Sequence, residues 1–311
     1  DYMRDYLMSY QFAGDESHTQ NSADGFIQFD WDPSAHWNMI GGLRYDYFSA
    51  SSKSRLSAKI GVMYKLNGWR FRTSYAGGFR APSLKELFMH FNMANVFTIY
   101  GNKNLKPENS DNFQISAEYT HRNYSFSANA FHNIFRNRIS TAWNTALNGM
   151  NYLNTAKVRI TGLDINAQTR FLCGIGLTAS YVYTHENIPM GQPYTSSTRP
   201  HSAVLRADYD HNFRTWGFNV ALTGRYLSKL STDQYTSATS YTQTQRVTYP
   251  DYQIWRLTAM GRLNRGVRLT MTVDNIFNYK PSYYYINSPT TTGAILSCGL
   301  SVDIDKLLKW K

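Results

Sequence analysis

The sequence predicts an all-β fold that crosses a membrane as an antiparallel barrel, and three observations predict it. Segments in which apolar and polar residues alternate recur along the whole 311-residue chain, the period of a strand with two different faces. The connections between these segments are alternately short and long. Aromatic residues make up 15% of the chain, led by 24 tyrosines, against 17% charged residues, a balance uncommon in soluble proteins.

Size agrees with this reading. A soluble chain of this length tends to split into domains, yet no Pro/Ser-rich linker, low-complexity tract or block of like charge interrupts residues 1–311. A closed barrel keeps a long chain in one unit. No run of about 20 apolar residues offers a transmembrane helix, and a barrel needs none, because only every second residue must face lipid.

In chain order the alternation predicts strands over 2–13, 24–32, 36–49, 55–66, 69–81, 109–121, 123–139, 155–171, 174–185, 200–210, 215–229, 251–263, 266–279 and 293–304. This gives about fourteen strands, an even number. Their short connections are DPSA after Trp31, NG at 67–68, RN at 122–123, CG at 173–174, HNFR at 211–214 and NR at 264–265. The long ones cover 15–22, 50–54, 82–108, 140–154, 186–199, 230–250 and 280–292. Tight turns on one side and larger loops on the other are the asymmetry of an outer-membrane barrel, with the turns periplasmic.

The faces follow from the same period. Leu43, Tyr45 and Tyr47 oppose Arg44 and Asp46. Leu56, Ala58, Ile60, Val62 and Tyr64 oppose Ser57, Lys59 and Gly61. Phe113, Ile115, Ala117 and Tyr119 oppose Gln114, Ser116 and Glu118, and Leu269, Met271 and Val273 oppose Arg268, Thr270, Thr272 and Asp274. A soluble sandwich would also alternate, with its apolar face inside. Two features favour lipid: Tyr45, Tyr47, Trp69, Tyr181, Tyr183, Tyr226 and Trp255 stand near strand ends, as aromatic girdles do, and the polar face is charged across many strands.

Between the fifth and sixth predicted strands the alternation stops. Residues 77–110, GGFRAPSLKELFMHFNMANVFTIYGNKNLKPENS, carry Pro82, a short helix over 84–88, a dense set of Phe, Met and Tyr with His90 near the middle, and Pro107. A connection of this length is unusual and tends to be functional; it reads as a long loop held between two strands.

Four pieces resemble the C-terminal barrel of TonB-dependent outer-membrane receptors: GLRYDYF at 42–48, YAGGFRAPSLKELF at 75–88, GNKNLKPENSDNF at 101–113 and VDNIFNYKP at 273–281. The resemblance covers nearly the whole chain in order. It implies a 22-stranded barrel around an N-terminal plug, of which residues 1–311 are the C-terminal portion, without the plug, the energy-coupling box and the early strands. It also implies a place in the bacterial outer membrane, active transport rather than catalysis, and no tightly bound cofactor. The implied partners are the missing plug and strands, the TonB complex of the inner membrane, outer-membrane lipid and a surface lipoprotein that delivers ligand.

Within that family the haem receptors are similar in one further way: an FRAP or YRAP box, a haem-ligating His and an NPNL-type box. Here these are Phe79-Arg80-Ala81-Pro82, His90 and Asn102-Lys103-Asn104-Leu105, with Lys103 departing where the pattern has Pro. The resemblance implies haem as the transported ligand and His90 as its iron ligand. Its candidate contacts are Phe79, Arg80, Pro82, Met89, Met93, Tyr100, Asn102, Asn104 and Leu105, with Phe91 and Phe97 in the surroundings. An axial imidazole beside aromatic and thioether side chains suits haem. The same boxes occur more loosely in siderophore and cobalamin receptors, and the bland reading keeps His90 as a polar residue of a loop packed by its own aromatics. A passive porin is the reading from a different class, and the boxes count against it.

Other chemistry is thin. Net charge is +11, but Lys and Arg are spread over many strands rather than clustered for nucleic acid. His18 and His185 fall in long loops; His36, His121 and His211 fall at short turns. No His/Cys/Asp set has zinc-site spacing, and no nucleophile has an adjacent base. The inward cations Arg44, Lys59, Lys65, Arg70, Arg72, Arg206, Arg225, Arg256 and Arg268 either pair with Asp46, Glu118, Asp164 and Asp208 or steer an anionic ligand. Cys173, in a turn, and Cys298, in a strand, either form one disulfide or stay as two buried thiols. No signal peptide is visible and Asp1 opens in strand-like sequence, as in a mature or truncated piece.

Overall fold

Alternation becomes a single antiparallel sheet of fourteen strands. In the computed structural model, which describes residues 1–12, 16–50, 53–155, 157–187, 198–235, 244–263, 266–283 and 291–304, the strands of this sheet are β1 (Tyr2–Met8), β2 (Ser17–Ser34), β3 (Trp37–Phe48), β4 (Lys53–Leu66), β5 (Trp69–Arg80), β8 (Glu108–His121), β9 (Tyr124–Arg136), β12 (Val158–Arg170), β13 (Ile175–Asn187), β14 (His201–Asn212), β15 (Trp216–Leu227), β18 (Tyr252–Leu263), β19 (Val267–Asp274) and β20 (Ile295–Val302). Neighbours in the sheet follow chain order. The sheet is open, with β1 and β20 at its two ends.

Short and long connections alternate as the sequence predicts. At the β4–β5 turn Asn67 and Gly68 both have positive φ (46° and 86°), the backbone a two-residue hairpin demands and Asn-Gly supplies. The predicted NR turn at 264–265 lies outside the described residues.

The long connections depart from the prediction, because several carry strands of their own. Between β5 and β8 the chain forms α1 (Leu84–Phe88), β6 (His90–Met93) and β7 (Phe97–Tyr100); between β9 and β12 it forms β10 (Ile139–Asn144) and β11 (Gly149–Asn154); between β15 and β18 it forms β16 (Leu230–Tyr235) and β17 (Thr244–Tyr249). The connections after β5 and β9 merge into one four-stranded sheet in the order β10-β11-β7-β6. Three boundaries also move; one is the end of β19, at Asp274 rather than 279, because Asn275 turns to positive φ and its side chain accepts from the Tyr279 amide. The first strand stops at Met8 rather than 13, and β2 begins at Ser17 rather than 24, because the polar stretch from Ser17 pairs with β1 beyond the apolar band. His18 therefore lies in β2 rather than a loop, and His185 lies in β13, which runs on to Asn187.

Register fixes the faces. Cross-strand partners share a face, and the pairings Ile27↔Leu43↔Ala58 and Thr73↔Ile115↔Ala130 keep the apolar set together. On the opposite face the arginines pair with carboxylates. Arg44 meets Asp46 and Asp24 at 2.9 and 3.3 Å, Arg70 and Arg72 meet Glu118, and Arg170 and Arg206 meet Asp208. Arg262 meets Asp210 at 2.8 Å, and Arg256 is paired with Asp274. The predicted partner Asp164 instead accepts a hydrogen bond from Asn129. Among the described residues, Lys59, Lys65, Arg225 and Arg268 on this face form no ion pair.

Both cysteines are free and both are exposed. The expectation of a disulfide is corrected, and so is that of buried thiols: Cys173 sits in the turn after β12, and Cys298 lies in β20 opposite Met271 on the apolar face.

Candidate functional site

The rim of long connections is built around the segment between β5 and β8. Pro82 is fully buried and stops β5 from continuing. Ser83 then caps α1: its hydroxyl accepts from the Glu86 amide, while the Glu86 carboxylate accepts from the Ser83 amide at 2.8 Å, a reciprocal capping box. Leu84 and Leu87 point inward and are buried.

Arg80 ends β5 and holds this turn down. Its guanidinium donates to both Glu86 oxygens, at 2.9 and 3.0 Å, and through Nε to Glu108 at 2.8 Å. The second Glu108 oxygen accepts from the Ile139 amide, so one carboxylate joins both ends of this segment to the next long connection. Phe79 packs near Phe48, with ring centroids 5.8 Å apart.

The second box closes the other side. The Asn102 amide donates to the Glu86 carbonyl, its side chain donates to the Tyr152 carbonyl at 3.0 Å, and its oxygen accepts from the Asn104 amide. Leu105 is 4% exposed and packs with Leu87 and Ile139. Asn154 bonds both the amide and the carbonyl of Lys106. Gly101 is required here: a β-carbon would lie 2.5 Å from the Met89 amide nitrogen, closer than packing allows. Burial, with a smaller push from Glu86, holds the Tyr152 phenol above its ordinary pKa.

From this clamp the β6–β7 hairpin projects, turning through Ala94 and Asn95, both at positive φ. His90 pairs with Tyr100 at its base, and the rings meet edge to face at 5.2 Å. His90 is exposed, and neither imidazole nitrogen has a hydrogen bond to a described residue. The period of two puts His90, Asn92, Thr98 and Tyr100 on one face of the hairpin and Phe91, Met93, Phe97 and Ile99 on the other.

The candidate residues thus separate into groups. His90 and Tyr100 come together; Met93 lies on the opposite face of the hairpin. Met89 is engaged with the first long connection through a bridge to Phe12. Phe79, Arg80, Pro82, Asn102, Asn104 and Leu105 lie in or beside the clamp beneath the hairpin. His18 stacks on Phe88 with centroids 3.8 Å apart and planes 9° from parallel, and meets Phe12 edge-on, so it belongs to the same aromatic packing.

Sequence reasoning missed Glu86, Glu108, Tyr152 and Asn154. The Ser83–Glu86 spacing was a readable capping signal, and Glu108 stood in the family-like segment 101–113; Tyr152 and Asn154 act through contacts between separate loops and leave no local pattern. It also missed Arg199, which joins three further connections by donating to the Ser228 and Pro250 carbonyls and to the Tyr283 hydroxyl while lying 4.9 Å over the Tyr252 ring. Beside it Tyr279 stacks on Tyr252, and burial, reinforced by Tyr283, pushes its phenol up to about 12.

Comparison with known proteins places this architecture. The family model described as "TonB dependent receptor-like, beta-barrel" matches residues 2–276. The probable haemoglobin and haemoglobin-haptoglobin-binding protein 4 of Haemophilus influenzae is 26% identical over 51% of this chain and 18% of its own length. The haem/hemopexin utilization protein C of the same species is 24% identical over 78% of this chain and 38% of its own. Among solved structures, the FrpB iron transporter of Neisseria meningitidis (F3-3 variant) superposes with a TM-score of 0.72 at 17% identity, over 92% of this chain and 45% of that one. A Pseudomonas aeruginosa ferric enterobactin receptor mutant in complex with enterobactin superposes at 0.70, again at 17% identity, over 89% and 45%. At such identity the structures show a shared fold. The chain spans less than half the length of each of these relatives.

Proposed function

Because the chain belongs to the TonB-dependent receptor-like β-barrel family of the bacterial outer membrane, we propose that it is the C-terminal barrel portion of an active-transport receptor that imports haem or another iron chelate. The plug and remaining strands, and the TonB complex that drives transport, complete the machine in this reading. The observation that carries it is His90: an exposed imidazole with neither nitrogen hydrogen-bonded to a described residue, edge-on to Tyr100, on a hairpin anchored through Arg80, Glu86, Glu108 and Asn102. Such a group ligates haem iron through its neutral nitrogen, and an anchored hairpin presents it with little ordering cost. The names of relatives that bind haemoglobin or use haem and hemopexin support the same ligand class.

A siderophore or cobalamin receptor of the same fold is the second reading. It is favoured by Met93, which does not share the His90 face and so adds no thioether wall there. Uptake assays on cells carrying the full-length receptor separate the two: growth on haem as sole iron source, lost when the proton-motive force is collapsed, supports the first reading. Growth only on a ferric siderophore supports the second, and uptake indifferent to the proton-motive force contradicts energy coupling.

A further inference from the structure

A groove on the apolar face of the sheet ends at a cationic corner of the short-turn rim. It has a volume of about 620 Å³ and is floored by Ala167, Ala179 and Ala207, with Phe126, Leu177 and Leu205 beside them. The register makes it two adjacent rows across the strands. One runs Tyr119↔Phe126↔Ala167↔Ala179↔Leu205↔Gly224↔Trp255, and the other His121↔Tyr124↔Thr169↔Leu177↔Ala207↔Leu222↔Leu257. Trp255 covers Gly224, where a β-carbon would lie 2.6 Å from the indole.

The rows climb away from the rim. Tyr124 opens β9 directly after the Arg122–Asn123 turn, whereas Ala207 and Leu257 lie well inside β14 and β18. From β9 to β15 is about 20 Å at the usual strand spacing of roughly 4.8 Å. In strands tilted about 45° that path rises about 14 Å, close to half of a hydrocarbon core about 30 Å thick.

At the low end stand His121 and Arg122, both exposed. His121 stacks in parallel with Tyr119, and Arg122 forms no ion pair with any described residue. The carboxylates of this end, Glu118, Asp208 and Asp210, lie on the opposite face and are held by Arg70, Arg72, Arg170, Arg206 and Arg262. Among the described residues, no carboxylate therefore neutralises Arg122 at this corner of the rim.

We propose that this groove holds one acyl chain of an anionic phospholipid of the periplasmic leaflet, with its headgroup phosphate at Arg122 and His121. Charge selects the headgroup and small side chains make room for the chain. The occupant sits outside the transport path and is independent of the cargo.

The test uses the full-length protein reconstituted in vesicles of phosphatidylethanolamine with phosphatidylglycerol, re-extracted in mild detergent and weighed by native mass spectrometry. One retained phosphatidylglycerol per protein is expected. Arg122→Gln should lower its retention about fivefold, the effect of one cation at the membrane surface. Ala179→Phe fills the groove and should abolish retention, while Leu43→Phe, on the same face elsewhere, should not change it. Thermal unfolding of each variant confirms that it is folded. Equal retention of phosphatidylethanolamine, or undiminished retention by folded Ala179→Phe, overturns the proposal.

Discussion

Arg80 and Glu86 meet in a two-pronged ion pair at 2.9 and 3.0 Å, joining the last residue of β5 to the first turn of α1. The Arg80 side chain is 45% exposed and that of Glu86 14%, so solvent screens the pair only partly. Charge-assisted bonds of this kind contribute about 1–2 kcal/mol. Arg80→Gln should therefore speed amide exchange across 84–105 by about tenfold while leaving the barrel strands protected. Exchange unchanged in that segment would mean that Glu108 and the capping box hold the loop without Arg80.

Leu105 tests whether the second box acts by packing. Leu105→Ala opens a cavity against Leu87 and Ile139 and should destabilise the clamp by about 2–4 kcal/mol. Ligand affinity should fall with loop order, and the spectrum of bound haem should stay the same. A changed spectrum with an ordered loop would mark Leu105 as a direct contact.

The lipid and lumen faces can be read by labelling introduced cysteines in the full-length receptor with a membrane-impermeant thiol reagent. Cysteines at Arg44, Gln114, Thr178, Arg206 and Arg268 should react, and those at Leu43, Ile60, Ile115, Leu177, Leu205 and Leu269 should be protected. The reverse pattern would invert the sheet. One class of position reads lumen water; the other reads lipid.

Fourteen strands and their alternating connections were legible because side chains facing lipid and water impose a period of two. The short helix over 84–88 was legible too. The strands inside the long connections were not. Residues 91–102 and 139–156 contain no Asp, Glu, Lys or Arg and no sustained alternation, and β7 pairs in parallel with β11, a partner from a different connection. The division of the candidate site was equally hidden. Spacing groups Met89, His90 and Met93 together, whereas the hairpin register puts Met93 and His90 on opposite faces. Lys103, which departs from the family pattern, lies 5.4 Å over the Phe88 ring and supports the packing beneath the hairpin.

If the proposed transport holds, lumen cations with no carboxylate partner among the described residues should make uptake sensitive to salt. Lys59, Arg225 and Arg268 should attract an anionic ligand, and screening shortens that attraction to about 10 Å at 0.1 M salt. Uptake by the full-length receptor should slow as ionic strength rises. A flat response would leave these cations a structural role only.

In the proposed function His90 meets the cargo. Replacing it by Ala leaves the barrel intact, because the side chain makes no ladder hydrogen bond. Haem titration of full-length wild-type and His90→Ala receptor, followed by absorbance, should show weaker binding and a shifted Soret band in the variant, since the axial ligand sets the electronic state of the iron. Identical spectra and affinities would contradict ligation by His90 and move the siderophore or cobalamin reading ahead.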